Sequence, residues 1–137
     1  MNHLIPCTIG LGSNSSDRKT QIYNAINHIC ELLANAHVSE IYECEAINGK
    51  DDPYLNAVVH GNSPLDKEEL KSYLKAWEAA QHRDDTLDEN GRHVVNIDLD
   101  LVIFNSRILR PKDFDRLYFN KGYSQLLADG AFQNDIV

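Results

Sequence analysis

Val94-Val95-Asn96-Ile97-Asp98-Leu99-Asp100-Leu101-Val102-Ile103-Phe104 is a strongly apolar, β-branched run punctuated by one asparagine and two aspartates. Branched side chains favour extended backbone, so the run predicts a strand over 94–104. Residues two apart on a strand share a face and stand roughly 6.6 Å apart along it. Asp98 and Asp100 therefore project together, while Ile97, Leu99 and Leu101 turn the other way into a core.

Working outward, Asn105-Ser106 makes a turn to a short strand at Ile108-Leu109, which Pro111 ends. Beyond it, one helical turn is expected near 124–128. Upstream, Glu68 and Glu69 open a helix whose stripe Leu70, Leu74 and Trp77 carries it to about Gln81. Tyr54 to His60 alternates as a strand after a loop over 46–52, and Val38–Glu43 reads as another strand. A first helix, capped by Ser16 or Asp17, runs to about Ala34 on Ile22, Ala25, Ile26, Ile29, Leu32 and Leu33. Before it, Cys7–Ile9 reads as a strand entering the turn Gly10-Leu11-Gly12-Ser13-Asn14. Strand, helix, strand, strand, helix, strand matches an α+β, ferredoxin-like split βαβ sandwich, a mostly antiparallel sheet with helices packed on one face.

The 137 residues suit one domain over 1–137, and 42% hydrophobic with 25% charged residues is ordinary globular composition. No run approaches the length of a membrane span, and no signal segment is expected. Thirteen basic against 21 acidic residues give a net charge of −8, which argues against nucleic acid as a partner. An acidic protein can still bind a polyphosphate if divalent cations cancel the charge. Three cysteines without CxxC spacing argue against a disulfide framework and for a reducing, cytoplasmic setting.

Asp98 and Asp100 are the sharpest chemical feature. Two like charges so close repel unless a cation joins them, and a pair of magnesium ions can clamp both sides of a phosphoryl displacement. Gly10-Leu11-Gly12 lacks the third glycine of a dinucleotide fingerprint, so it reads as a tight turn needing small residues. Tyr54 and Asn56 share a strand face and offer a stacking plane and an amide, which suit a flat heterocycle. Arg83, Arg92, His93, Arg110 and Lys121 are the cations that could meet phosphates, whereas Glu78 is expected to face solvent or pair locally.

In order, Ile9-Gly10-Leu11-Gly12-Ser13-Asn14, Tyr54-Leu55-Asn56-Ala57-Val58-Val59, Glu78 with Arg83, and Ile97-Asp98-Leu99-Asp100-Leu101-Val102-Ile103-Phe104 resemble the 6-hydroxymethyl-7,8-dihydropterin pyrophosphokinase family. The resemblance implies a ferredoxin-like fold. It also implies transfer of pyrophosphate from ATP to the hydroxymethyl group of a dihydropterin, with AMP released, in folate biosynthesis. It gives Asp98 and Asp100 two magnesium ions, Asn56 the pterin edge, Tyr54 and Tyr123 the two sides of the ring, and Cys44 a place in the pterin loop. Arg83 and Arg92 become catalytic cations, and Glu78, His93 and Lys121 join them around the nucleotide. The partners implied are small molecules, with the protein a monomer and the segment 82–93 closing over nucleotide. Val94-Val95 stands where the family usually carries Pro-Arg, Asp85 where it has a second arginine, and its histidine before Tyr123 has no match. These differences keep open the alternative of a weak or inactive relative that binds a pterin-like or nucleotide ligand.

Overall fold

The computed structural model describes residues 3–81 and 94–134. Its strands are β1 (Ile5–Ser13), β2 (Ala34–Val38), β3 (Tyr42–Cys44), β4 (Tyr54–Ser63), β5 (Asp98–Phe104) and β6 (Arg107–Ile108). The α-helices are α1 (Arg18–Leu32), α2 (Lys67–Gln81), α3 (Pro111–Phe114) and α4 (Leu117–Ala128). A final 3-10 turn follows at Ala131–Asn134. All pairings in the sheet are antiparallel, in the order β2-β4-β1-β5-β6, with β3 also on β4. This is the expected α+β, ferredoxin-like order: β1 and β5 lie side by side, although most of the chain separates them.

Alternation decides which face each residue serves. Cys7, Ile9, Leu11, Ala57, Val59, Leu99 and Leu101 form one core with Ile22, Ile26 and Ile29 of α1 and Leu70 and Leu74 of α2. Asp66 and Glu69 start α2 with a reciprocal capping box, each backbone N–H donating to the other's carboxylate at 3.1 and 2.8 Å.

The opposite face is not left bare, and here the structure adds to the sequence reading. In place of one turn near 124–128, α4 is a twelve-residue helix. Phe119 and Leu126 of α4 bury Val58 and Val102 with Ala131. Pro111, expected only to end an element, stands at the first turn of α3, where a missing N–H costs nothing.

The single strand expected at Val38–Glu43 is two. Val38 pairs with Val59 but Tyr42 pairs with Asn56, so four steps on one strand match three on the other. The extra residue falls where the Ser39 hydroxyl accepts from the Val58 N–H at 2.9 Å while the Ser39 N–H donates to the Val58 carbonyl. Such a bulge switches the face that later side chains serve, which sends Tyr42 under α4. The strand expected from Val94 likewise begins only at Asp98. Asn14 holds Val95 first: its side-chain oxygen accepts from the Val95 N–H at 2.6 Å and its own N–H donates to the Val95 carbonyl at 3.1 Å.

Candidate active site

A cavity of about 400 Å³ opens on the α4 side of the sheet. Its floor is Gly10 and Gly12 of β1, Asn56 of β4, and Asp98, Asp100 and Val102 of β5. The loop from Cys44 to Asp51 forms one wall, and Arg110, Asp113, Tyr118 and Phe119 form another. A second, smaller cavity of about 160 Å³ lies between α2 and β5, lined by Lys71, Leu74, Lys75, Leu99 and Leu109 among others. Asp100 and Arg110 line both.

The glycines of the Gly10-Leu11-Gly12 segment sit inside β1, not in the expected turn. What they provide is room. A Cβ at Gly12 would stand 3.1 Å from the Asn56 amide oxygen, and one at Gly10 would stand 3.1 Å from the Phe119 ring. The buried Asn56 and the half-buried Tyr54 thus reach the cavity over a strand without side chains in their way.

Asp98 and Asp100 lie together on the cavity floor, close enough to shift each other's titration, and Glu78 acts on Asp98. Burial raises the Asp98 pKa above the usual carboxylate range. It pushes Asp100 further, to about 7, with the neighbouring Asp98 charge adding to the shift and Arg110 and Lys75 opposing it. Of the two fates expected for Glu78, facing solvent or pairing locally, the structure shows the second: it is buried and ion-paired at 2.7 Å with Lys75, three residues before it. Lys75 also stands 3.7 Å from Asp100 Oδ1, and Arg110 stands 3.7 Å from the same oxygen. Arg110 is held in turn by Asp113, whose other oxygen accepts from the Tyr118 hydroxyl. Burial works to lower the Lys75 pKa, but the hydrogen bond and charge of Glu78, with Asp100 and Asp98, carry it above its ordinary value.

Two neighbouring carboxylates on one strand face, with Asp100 lining both cavities, suit a magnesium ion, which takes one or two carboxylates and fills its other positions with water and phosphate oxygens. Among the described residues no three His, Cys, Asp or Glu side chains form a closed metal cage. Lys75 ties up Glu78, leaving Asp98 and Asp100 as the donors.

Cys44, Tyr54, Asn56, Asp98 and Asp100, all named from sequence, are brought together around the larger cavity. Two others are not. Tyr123 packs on Phe114, Phe119 and Phe132 at 5.0 to 5.8 Å between ring centroids, because α4 carries it into the second core. The aromatic lining comes instead from Tyr54, Tyr118 and Phe119. Lys121 lies 5.4 Å over the Tyr42 ring and lines neither cavity. Arg83, Arg92 and His93 lie outside the described residues, as does the segment expected to close over nucleotide. Lys75, Asp113, Tyr118 and Phe119 were missed by sequence reasoning; Arg110 was noted there only as a cation.

A sequence model of the family described as 7,8-dihydro-6-hydroxymethylpterin-pyrophosphokinase (HPPK) matches residues 8–127. The chain belongs to this family. It is also 30% identical over 105 residues to the 2-amino-4-hydroxy-6-hydroxymethyldihydropteridine pyrophosphokinase of Aquifex aeolicus (strain VF5), a match covering 76% of this chain and 64% of that relative. The HPPK match takes in β4, α2 and β5 whole and β1 from Thr8 onward. No helix among the described residues is long and apolar enough to cross a membrane.

Proposed function

We propose that this HPPK-family chain is a monomeric, cytoplasmic pyrophosphokinase that moves the terminal pyrophosphate of ATP to the hydroxymethyl group of 6-hydroxymethyl-7,8-dihydropterin and releases AMP. The observation that carries the reading is the place of Asp98 and Asp100 on one strand face at the floor of a larger, aromatic-lined cavity, with Asp100 also lining a smaller one flanked by Lys71 and Lys75. The larger cavity suits a flat heterocycle. Tyr54 offers a ring face, and burial, then the Asp98 and Asp51 charges, raise its pKa and keep the phenol neutral. Asn56 supplies donor and acceptor together at the floor.

The smaller cavity suits the nucleotide, because its lysines and Arg110 can meet phosphate oxygens while Leu74, Leu99 and Leu109 offer an apolar wall. Asp98 and Asp100 would hold two magnesium ions, which when bound neutralise phosphate charge. The residues contribute positioning: they set the pterin hydroxyl beside the β-phosphorus, so that the new P–O bond forms as the bond to the α-phosphate oxygen breaks. Arg110 supplies a cation from the loop after β6, in a chain that carries Val94-Val95 where its family usually has Pro-Arg.

Coupled detection of AMP with ATP, magnesium and the hydroxymethyl-dihydropterin tests the proposal. Turnover should fall by about two to three orders of magnitude in Asp98→Ala, the range seen when one preorganised charge contact is removed. Turnover no higher in the natural chain than in that variant would reject it.

A further inference from the structure

Lys75, on α2, brings a cation to Asp100 at the smaller cavity. Its ammonium sits 2.7 Å from Glu78 Oε2 and 3.7 Å from Asp100 Oδ1, and it donates to the Leu99 carbonyl at 3.3 Å. Arg110 approaches the same Asp100 oxygen from the other side but is fastened to Asp113. Beyond the Glu78 ion pair Lys75 is held by the Leu99 carbonyl at 3.3 Å and the more distant Asp100, and its side chain is 58% exposed, so solvent lies beside the ammonium and a phosphate could reach it there.

A magnesium ion on Asp100 Oδ1 would lie about 2.1 Å from that oxygen. With Lys75 at 3.7 Å from the same atom, the two cations would stand within about 6 Å of each other, close enough for strong repulsion in a partly buried site. A free metal ion brings nothing to relieve this. A polyphosphate does, because its oxygens give the ammonium a new partner and cancel the excess positive charge.

We propose that Lys75 is a positioning residue that couples metal loading to the arrival of the polyphosphate. It balances the Asp100 and Glu78 charges while the nucleotide is absent, disfavours a divalent cation bound alone, and turns to the phosphates when both arrive together. This rests on the reading of Asp98 and Asp100 as the metal-binding pair. The coupling is reciprocal: whatever factor the polyphosphate adds to metal affinity, the metal adds to polyphosphate affinity.

Manganese titrations of the full chain, followed by calorimetry or electron paramagnetic resonance, separate the possibilities. Each is run alone and with inorganic tripolyphosphate or a non-hydrolysable ATP analogue. The natural chain should bind manganese weakly alone and more tightly with either anion. Lys75→Gln should tighten manganese binding alone by about five- to tenfold and shrink the anion's enhancement by a similar factor, since a neutral side chain removes the repulsion. Lys75→Arg should behave as the natural chain. Melting temperature and circular dichroism confirm that each variant folds. Manganese binding in Lys75→Gln that equals or falls below the natural value, while Asp100→Asn abolishes it, overturns the role of Lys75 and leaves the metal pair standing. If Asp100→Asn binds manganese as the natural chain does, the metal pair itself is wrong and the coupling falls with it.

Discussion

Asp100 holds its proton to about pH 7 when no metal is present, because burial and the Asp98 charge both disfavour the carboxylate. In the unfolded chain the same group loses its proton near 3.8. Between those two values the native state binds more protons, so this pair subtracts stability as pH rises from about 4 to about 7, and the penalty is complete above that. Asp100→Asn is therefore expected to stabilise the metal-free protein by about 1–3 kcal/mol at pH 8 and to leave it unchanged near pH 4. The same change should abolish turnover, a trade of function for stability. Thermal melts of both proteins in chelator across that pH range check it; a destabilised variant at pH 8 contradicts it. The pair was legible in sequence because a period of two fixes which side chains share a face. Lys75 was not, because its relation to Asp100 is set by how α2 lies across β5, a distance no local spacing encodes.

Among the elements, the joint between β3 and α4 governs the shape of the larger cavity. The Tyr42 hydroxyl donates to the Tyr118 carbonyl at 2.6 Å and accepts from the Gly122 N–H at 3.2 Å. Gly122 is needed because a Cβ there would lie 2.6 Å from Val58 Cγ2 and 3.0 Å from both the Ser39 and Tyr42 oxygens. Tyr42→Phe removes the hydroxyl that bridges the Tyr118 carbonyl and the Gly122 N–H, two hydrogen bonds, and should cost about 1–3 kcal/mol. Gly122→Ala, which forces α4 off the sheet, should cost about 1–3 kcal/mol and also loosen pterin binding, because Tyr118 and Phe119 move with the helix. Urea midpoints measure the first effect and pterin titration the second; an unaltered pterin affinity in Gly122→Ala would separate α4 from the cavity wall. Strand β4 and helices α1 and α2 were legible because their apolar periods are unbroken, whereas β1 was legible only to Ile9, since Gly10 and Gly12 read as a turn and the room they make is visible only with Asn56 and Phe119 in place. The break between β2 and β3 was not, since it depends on Ser39 bonding across to Val58. Nor was α4, whose Tyr118-Phe119-Asn120-Lys121-Gly122-Tyr123 stretch carries a glycine and three aromatics with poor intrinsic helix preference, overridden by packing on Val58 and Val102.

For the molecule as a whole, charge decides how the cosubstrate is admitted. The chain carries −8, and the two cavities meet at Asp100, with Asp98 beside it in the larger one, so a bare triphosphate approaches like charge at long range and at the site itself. Lys71, Lys75 and Arg110 offset part of this, but Lys75 and Arg110 are already paired with Glu78, Asp100 and Asp113. Nucleotide binding should consequently depend on a divalent cation. A ligand at a hundred times its dissociation constant stabilises the native state by about 2.7 kcal/mol, which for a chain of this size is a rise of roughly 8–12 °C in melting temperature. That rise is expected with an ATP analogue and magnesium together, with little shift from the analogue in chelator. Raising ionic strength should weaken long-range repulsion and so recover part of the missing binding in chelator, whereas it should weaken the magnesium-dependent binding. An equal shift with and without magnesium would mean that the lysines and arginine alone accept the phosphates, and that Asp98 and Asp100 serve the fold and not the cosubstrate.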